Sequence, residues 1–284
     1  MADDGSVTVA HAFGETRVPA PPTRVVSAGL TGADDLLGLG VVPVAVTDWF
    51  GGEPFGVWPW ARKQLGDAKP EVLDLTDGVQ VARIAALRPD LIVATNAGLD
   101  QDTYTELSAI APTIPQSGQD AFFEPWRDQA GAIGEAVFHH EDMQSQIAGI
   151  DAAFGTIRES HPEFADTRVL LLGGTLQPDG AAVLGPTWRR EFLTEMGLTV
   201  ADTDGPLIAR DRMAAVLGDA DVLIWATESD DEQAALLADP VVARRAGRNV
   251  FTGRELAAAI AYASVLSWPV VAARLPTMIK TALG

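Results

Sequence analysis

The sequence has 284 residues, enough for one large or two medium-sized domains, and 47% of them are hydrophobic, as in a globular protein with a substantial core. Its formal net charge of −19 argues against nucleic acid or an anionic membrane as a partner. The absence of cysteine excludes disulfides, thiolate catalysis and zinc–thiolate sites. No apolar run is long enough to span a bilayer, and the opening residues MADDGSVTVA do not form a signal peptide.

The first elements of the chain follow a β–α–β pattern. VTVAHAFGETRV predicts a short hairpin around Gly14-Glu15, and a strand follows at Arg24 to Ser27. LTGADDLLGLG then predicts a helix with Thr31 as its N-cap, two aspartates in its first turn and Gly40 at its end. The segments VVPVAV and VQVARIAALR add a second strand and an amphipathic helix. This succession of short apolar strands and helices predicts a parallel sheet covered on both faces.

The second half repeats that pattern after a long helical stretch. Residues 121–160 carry no strand signal, and apolar residues recur at helical spacing from Ile147 to Ile157. RVLLLGG then begins another β–α series, in which we interpret LGGT at 172–175, like GLTG at 29–32, as a tight turn. The sequence therefore predicts an α/β fold with two doubly wound lobes, 1–138 and 161–284, bridged by one long helix at 139–160, with a ligand cleft between the lobes.

Two segments about 130 residues apart resemble each other. ALRPDLIVATN at 86–96 and LGDADVLIWATE at 217–228 each place an aspartate before an apolar run and polar residues after it. Ligands of open parallel sheets lie beyond the carboxyl ends of the strands. We therefore expect Thr95-Asn96 and Thr227-Glu228 to lie in ligand-facing loops, although any α/β lobe contains strands of this kind.

The sequence offers little catalytic chemistry. None of its four histidines has metal-site spacing, and the motifs of a nucleophile elbow, a phosphate loop and a dinucleotide site are absent or incomplete. Five tryptophans and three arginines fall in or beside predicted loops, where they suit a planar or anionic ligand. Each can equally be a buried tryptophan or a surface arginine. They are Trp49, Trp58, Trp60, Trp188 and Trp225, with Arg189, Arg190 and Arg254.

Several motifs, in order, resemble the substrate-binding proteins of ABC importers for iron–siderophores, haem and cobalamin. The opening hairpin leading to PPTRVVSAG, the step DDLLGLGVVPVAV, the signature IAALRPDLIVA, the step LSAIAPTI and the tail RNVFTG all fit this family. The resemblance covers nearly the whole chain. It implies capture of a ligand without catalysis, and delivery of that ligand to a permease and, through it, to an ATPase.

The resemblance also implies a periplasmic or cell-surface location, with a lipid anchor in the full-length form. The signal and the lipid-bearing cysteine are not in this chain. Members of the family dock an acid of each lobe onto arginines of the permease, but the expected N-lobe position is Ala82. Asp211 and, as an N-lobe substitute, Asp74 are the candidate docking acids. A solvated loop acid is the alternative for each.

The resemblance and the residues together predict a ferric siderophore as ligand and no cofactor, metal or catalytic residue of the protein's own. The predicted ligand-binding residues are Trp49, Asn96, Trp188, Arg189 and Trp225, with Arg254 and Tyr262 at the rim. Arginines would balance the charge of an iron chelate, and aromatic rings would cover its organic faces. We expect a monomer.

Three alternatives remain open at this stage. Haem or cobalamin is the rival ligand, and haem would need an axial Tyr or His. An enzyme or a metallocluster-assembly protein on the same fold would need clustered ligands. A signalling or scaffold protein that has lost transport is favoured by Ala82 alone.

Overall fold

The computed structural model describes residues 4–284, which divide into two compact units. Unit 1 runs to Ala148 and includes Ser264–Ser267, whereas unit 2 consists of Gly149–Ala263 and Trp268–Gly284. The predicted limits of 1–138, 139–160 and 161–284 treat the long helix as a separate part, and they stay a prediction.

Unit 1 is built around a parallel sheet. Its described strands pair in the order β5–β4–β3–β6–β7, and β1 and β2 form a separate antiparallel hairpin. The strands are β1 (Val7–His11), β2 (Gly14–Val18), β3 (Val25–Ser27), β4 (Ala45–Thr47), β5 (Glu71–Leu73), β6 (Leu91–Val93) and β7 (Thr113–Ile114). The helices are α1 (Gly32–Gly38), α2 (Arg62–Leu65), α3 (Val81–Ala86), α4 (Gln101–Ser108), α5 (Trp126–Ala136) and α6 (His140–Ser160), the last of which continues past Ala148.

The central strands of unit 1 are apolar because both faces of the sheet are covered. Val25 and Leu91 pack in one cluster with Leu36 of α1, whereas the next residue along each strand belongs to a second cluster on the other face. Successive side chains of a strand point to opposite faces, so a strand buried on both sides is apolar at consecutive positions, as at Val25–Val26 and Leu91–Ile92. This arrangement confirms the predicted doubly wound α/β fold of this half.

Unit 2 contains a mixed sheet. Its described strands pair in the order β11–β9–β8–β12–β13, with β10 also on β8. Strands β8, β10, β12 and β13 run parallel, whereas β9 runs antiparallel to both of its neighbours, β8 and β11. The strands are β8 (Arg168–Gln177), β9 (Gly180–Val183), β10 (Thr199–Val200), β11 (Leu207–Ala209), β12 (Val222–Ala226) and β13 (Asn249–Phe251). The helices are α7 (Glu191–Glu195), α8 (Met213–Asp219), α9 (Asp230–Ala238), α10 (Pro240–Ala243), α11 (Arg254–Tyr262) and α12 (Trp268–Leu283).

Two sequence predictions for unit 2 were wrong in detail, and one helix was missed. The residues 172–175 are not a tight turn, because β8 continues through them with a register shift and pairs with β9 on both sides of it. Helix α11 was not predicted. The last helix begins at Trp268 rather than near Ser264, which lies in unit 1.

The repeated aspartate of the two similar segments has the same structural role in each unit. Asp90 accepts hydrogen bonds from the backbone N–H of Thr23 (2.8 Å) and of Arg24 (2.7 Å), at the start of β3. Asp221 accepts one from the backbone N–H of Arg168 (2.8 Å), at the start of β8. Each carboxylate thus ties the beginning of its own strand, β6 or β12, to the neighbouring parallel strand. This shared role of the two aspartates, at the amino ends of β6 and β12, explains why an aspartate precedes the apolar run in both segments.

We expect Asp90→Ala to lower the free energy of unfolding by about 1–2 kcal/mol, because it removes charged acceptors from backbone N–H groups. Urea unfolding followed by tryptophan fluorescence measures this change. Asp77→Ala, in an exposed turn, is the matched control and should stay within about 0.5 kcal/mol of the wild type. Equal effects of the two variants would contradict the role given to Asp90.

Glycine permits a close backbone approach at the carboxyl end of the central strand in each unit. A Cβ atom on Gly29, just after β3, would lie 1.7 Å from the carbonyl oxygen of Thr95, just after β6. A Cβ atom on Gly174, in β8, would lie 2.3 Å from the carbonyl oxygen of Ala226, at the end of β12. Any side chain at either position would push the ends of two paired strands apart.

Candidate functional site

The loops after β3, β4 and β6 form the carboxyl-end surface of unit 1. The Oγ1 atom of Thr47 donates to the carbonyl of Ser27 (3.0 Å), and the N–H of Leu30 donates to the carbonyl of Asn96 (3.2 Å). The first turn of α1 therefore rests on the loop after β6. This is the edge of the sheet at which the sequence placed the ligand-facing loops.

Aromatic rings are grouped in the loops of unit 1. We call this group the aromatic series; it consists of Trp49, Phe50, Trp58, Trp60, Phe122 and Phe123. Trp49 lies edge-on to Phe50, with centroids 4.7 Å apart, and 5.3 Å from Phe123. Behind them, Trp58 is stacked on Trp60 at 5.1 Å. Sequence reasoning singled out Trp49 but missed the phenylalanines, for which the only signal was the FF pair in DAFFEP.

The side chains of the aromatic series range from fully buried to exposed. Trp58 is fully buried, Trp49, Phe50 and Phe123 are half-buried, and Phe122 is 45% exposed. The indole N–H of Trp60 donates to Oδ2 of Asp34 (2.8 Å), which anchors the buried side of the series. A buried, anchored base under partly exposed rings is suited to hold the organic faces of a ligand.

Asn96, predicted to bind ligand, is buried within unit 1, with 3% exposure and a left-handed φ of 57°. Its Nδ2 atom donates to Oγ1 of Thr31 (3.1 Å), and its Oδ1 atom accepts the backbone N–H of Phe123 (2.8 Å). Both ends of its amide are therefore occupied.

The prediction for Thr31 needs a correction: it stands at the N-cap of α1 but makes no side-chain capping bond, because its hydroxyl donates to Gln129 (3.0 Å).

Two buried carboxyl groups, those of Asp34 and Asp35, lie in the first turn of α1. Asp34 accepts from the hydroxyl of Ser264 (2.6 Å), and Asp35 accepts from Nε2 of Gln129 (2.8 Å) and from the backbone N–H of Val265 (3.3 Å). Burial raises the pKa of Asp34 to about 6 and the pKa of Asp35 to about 7. The sequence placed both in the first turn of α1 but gave no sign that the segment Ser264–Ser267 covers them.

In unit 2 the predicted residues Trp188 and Arg189 lie in the helical turn Thr187–Arg190. The Arg189 guanidinium is 7% exposed, lies 5.2 Å from the centre of the Trp188 ring and donates from Nη1 to the carbonyl of Gly185 (2.9 Å). Burial lowers the pKa of Arg189 to about 10, so the group keeps its charge at neutral pH. A buried, charged guanidinium next to an indole suits an anionic ligand with an organic surface.

The other predicted residues of unit 2 differ in exposure. Arg254 is exposed at the start of α11, and Tyr262 is buried at its end, so their contact with a ligand stays a prediction. Trp225 requires a correction: it is fully buried in the core of unit 2, and its indole N–H donates to Oδ1 of Asn249 (2.9 Å). As an inner residue of β12, Trp225 has no surface to present to a ligand.

The candidate docking acids lie in different surroundings. Asp74 is half-buried and accepts from the backbone N–H of Thr76 (3.0 Å) and from Nε2 of Gln80 (3.0 Å), and its bonds to Thr76 lower its pKa. Asp211 is exposed two residues before α8, and Ala82 is exposed on α3. A docking role for either acid stays a prediction.

Residues 4–284 contain neither a metal-binding cluster nor a candidate membrane-spanning helix. No group of three or more histidine and acidic side chains in this range could hold a metal ion, and no helix in it is long and apolar enough to cross a bilayer. His11 is buried in unit 1, and its ring forms hydrogen bonds with Oγ1 of Thr16 (2.9 Å) and with the hydroxyl of Tyr104 (3.3 Å).

Comparison with known proteins agrees with this architecture. A crystal structure of a periplasmic solute binding protein from Mycobacterium smegmatis is 61% identical, covers 99% of this chain and 100% of its own, and superposes with a TM-score of 0.96. Two Bacillus subtilis proteins are each 30% identical. The putative ABC transporter substrate-binding lipoprotein YhfQ matches over 60% of this chain and 51% of its own length, and the probable siderophore-binding lipoprotein YfiY over 51% and 42%. The chain thus spans about half the length of these curated relatives.

The family model described as periplasmic binding protein matches residues 25–250. This range runs from β3 into β13 and includes the parallel sheet of unit 1, the mixed sheet of unit 2, the aromatic series and the turn that carries Arg189. The chain therefore belongs to the periplasmic binding protein family.

Proposed function

We propose that this protein is an extracytoplasmic solute-binding protein that captures a ferric siderophore and delivers it to the permease of an ABC importer. The observation that carries the proposal is the aromatic series of unit 1, which presents half-buried rings on a buried base in the segments that follow β4 and β7. Membership of a family of binding proteins supports capture rather than catalysis. The similarity to YfiY, a probable siderophore-binding lipoprotein, supports the ligand class.

The proposed ligand chemistry follows from the side chains. Trp49, Phe50 and Phe123 would cover the organic surface of the chelate, while Arg189 and Arg254 would balance its negative charge. The siderophore itself would hold the iron, which is cargo, so the protein need not ligate it. Haem is less well supported, because the Tyr104 hydroxyl, one candidate axial ligand, is already bonded to Thr16 (3.1 Å).

The proposed location and partners rest on the relatives. We infer a periplasmic or cell-surface protein, monomeric, and lipid-anchored in its full-length form, as the names of the two lipoproteins suggest. Asp211 and Asp74 are the proposed contacts with the permease. In a strain whose iron uptake depends on this protein, we expect Asp211→Ala and Asp74→Ala to reduce uptake, and unchanged uptake in both variants would contradict these contacts.

Trp49→Ala tests the proposed ligand site. The quenching of tryptophan fluorescence is titrated with a ferric hydroxamate, a ferric catecholate, ferric citrate and haem. We expect at least one iron chelate to bind the wild type, and Trp49→Ala to weaken that binding about 10- to 100-fold, because a large aromatic contact is lost. Trp49→Phe should retain most of the affinity.

Leu237→Ala, on the exposed surface of α9, is the matched control and should bind like the wild type. If haem binds and none of the ferric chelates does, the ligand is haem and not a siderophore. Neither quenching nor a thermal shift with any of the iron chelates would refute the proposed function.

A further inference from the structure

A chain of buried hydrogen bonds connects the aromatic series to a carboxyl group in α1. The backbone N–H of Phe123 donates to Oδ1 of Asn96 (2.8 Å), Nδ2 of Asn96 donates to Oγ1 of Thr31 (3.1 Å), the Thr31 hydroxyl donates to Oε1 of Gln129 (3.0 Å), and Nε2 of Gln129 donates to Oδ2 of Asp35 (2.8 Å). The four side chains in this relay are each at most 4% exposed. Every donor points toward Asp35, so the bonds polarise one another in the same direction.

We propose that Asp35 and Gln129 are positioning residues of the ligand site, which act through this relay to hold Phe123 against Trp49. Because a ligand surface on unit 1 is part of the proposed function, this inference rests on that function. It also changes the role of Asn96, which becomes a positioning residue rather than a ligand contact.

The carboxylate of Asp35 determines the orientation of the whole relay. An ionised carboxylate only accepts hydrogen bonds, so Gln129 must turn its NH₂ group toward Asp35 and its oxygen toward Thr31. The Thr31 hydroxyl then donates to Gln129 and accepts from the NH₂ group of Asn96. This leaves the oxygen of Asn96 as the acceptor for the N–H of Phe123.

The final bond of the relay joins two residues whose backbones are in the left-handed conformation. Asn96 has a φ of 57° and Phe123 a φ of 59°, both in the left-handed region. Asparagine enters this region readily, but a bulky phenylalanine rarely does, so Phe123 needs a local interaction that favours this conformation. The bond between the Asn96 side chain and the Phe123 backbone supplies one, and the ring of Phe123 then lies 5.3 Å from that of Trp49.

Protonation of Asp35 would release this constraint. A protonated carboxyl can donate, so Gln129 and Thr31 could reverse, and a reversed relay would turn the NH₂ group of Asn96 toward the N–H of Phe123, where two donors cannot bond. Burial, with smaller contributions from the charges of Asp34 and Glu124, raises the pKa of Asp35 to about 7. The covering segment Ser264–Ser267 has no titratable side chain. Affinity should therefore fall as the pH drops below about 7.

The test measures the affinity of the iron chelate that binds the wild type in the titration above, at pH 8 and at pH 5.5. We expect wild-type binding to weaken at least fivefold at the lower pH. Asp35→Asn and Thr31→Val should bind weakly at both pH values, because one removes the charge that orients the relay and the other interrupts it. Asp102→Asn is the control: it changes an exposed acid of α4 outside both the relay and the aromatic series, and it should keep the wild-type pH dependence.

A second measurement separates failure of the relay from failure of the proposed function. Amide hydrogen exchange of Phe123 in the ligand-free protein should be at least tenfold faster in Thr31→Val than in the wild type. A wild type that binds equally at both pH values, or unchanged Phe123 exchange in a folded Thr31→Val protein, would overturn the relay. If no iron chelate binds at all, the proposed function fails, and the exchange measurement alone decides whether the relay positions Phe123.

Discussion

Gly29→Ala is expected to lower the free energy of unfolding of unit 1 by about 3 kcal/mol or more. The new Cβ atom would lie 1.7 Å from the carbonyl oxygen of Thr95 and 2.9 Å from its carbonyl carbon, and both are backbone atoms that cannot rotate away. Relief requires that the ends of β3 and β6 separate, with loss of the bond between Leu30 and Asn96. Urea unfolding followed by tryptophan fluorescence measures the loss.

Gly118→Ala is the control for this substitution. Gly118 is exposed, and an added Cβ atom would meet no heavy atom within 4 Å, so its stability should stay within about 0.5 kcal/mol of the wild type. Gly174→Ala, with a Cβ atom 2.3 Å from the carbonyl oxygen of Ala226, should destabilise unit 2 in the same way. A Gly29→Ala protein that unfolds at the wild-type urea concentration would contradict the close approach.

The stability that Asp35 contributes is expected to decrease as the pH rises. Its pKa is about 7 in the folded protein against 3.8 as its ordinary value, so between these pH values the folded state binds more protons than the unfolded state. The contribution is fully present below about pH 4 and is lost as the pH rises through 7. Between pH 5 and pH 8 the loss is about 2.5 kcal/mol, because the folded state must bury a charge at the higher pH.

The measurement compares the urea unfolding of wild type and Asp35→Asn at pH 5 and pH 8. The difference between the two proteins isolates this carboxyl from surface acids whose pKa is lowered, such as Asp90 and Asp239. Asparagine does not titrate, so the wild type should lose stability relative to the variant at pH 8. A difference that is equal at both pH values would show that Asp35 titrates near its ordinary value.

Sequence patterns predicted the parallel strands well because these strands are buried on both faces. The apolar runs at 91–94 and 222–225 allow few structures other than an inner strand, and both segments form one. The same reasoning could have excluded Trp225 from the ligand site, since a residue within such a run lies in a core. The aromatic side chain of Trp225 favours a ligand contact, but its position inside the strand places it in the core.

The relay could not be predicted, because its members come together only in the folded chain. Thr31, Asn96 and Gln129 are far apart in sequence, and each is a common residue in an ordinary local context. Thr31 and Asp35 looked like helix-start residues, and their positions agree with that interpretation. Only the burial of α1 under Ser264–Ser267 and the packing of α5 against it turn these polar residues into one network.

The aspartates at the amino ends of β6 and β12 hold neighbouring strands together without any contribution from the loops at the carboxyl ends. Asp90 ties β3 to β6 at the edge of the unit 1 sheet opposite to the loops that carry Trp49 and Phe123, and Asp221 ties β8 to β12 at the amino ends of these strands in unit 2. Strand register is thus secured at a distance from the residues that would select a ligand. We expect the outer part of the loop after β4, residues 48–52, to tolerate exchange with that of relatives that bind other chelates, which makes loop grafting a practical route to altered selectivity.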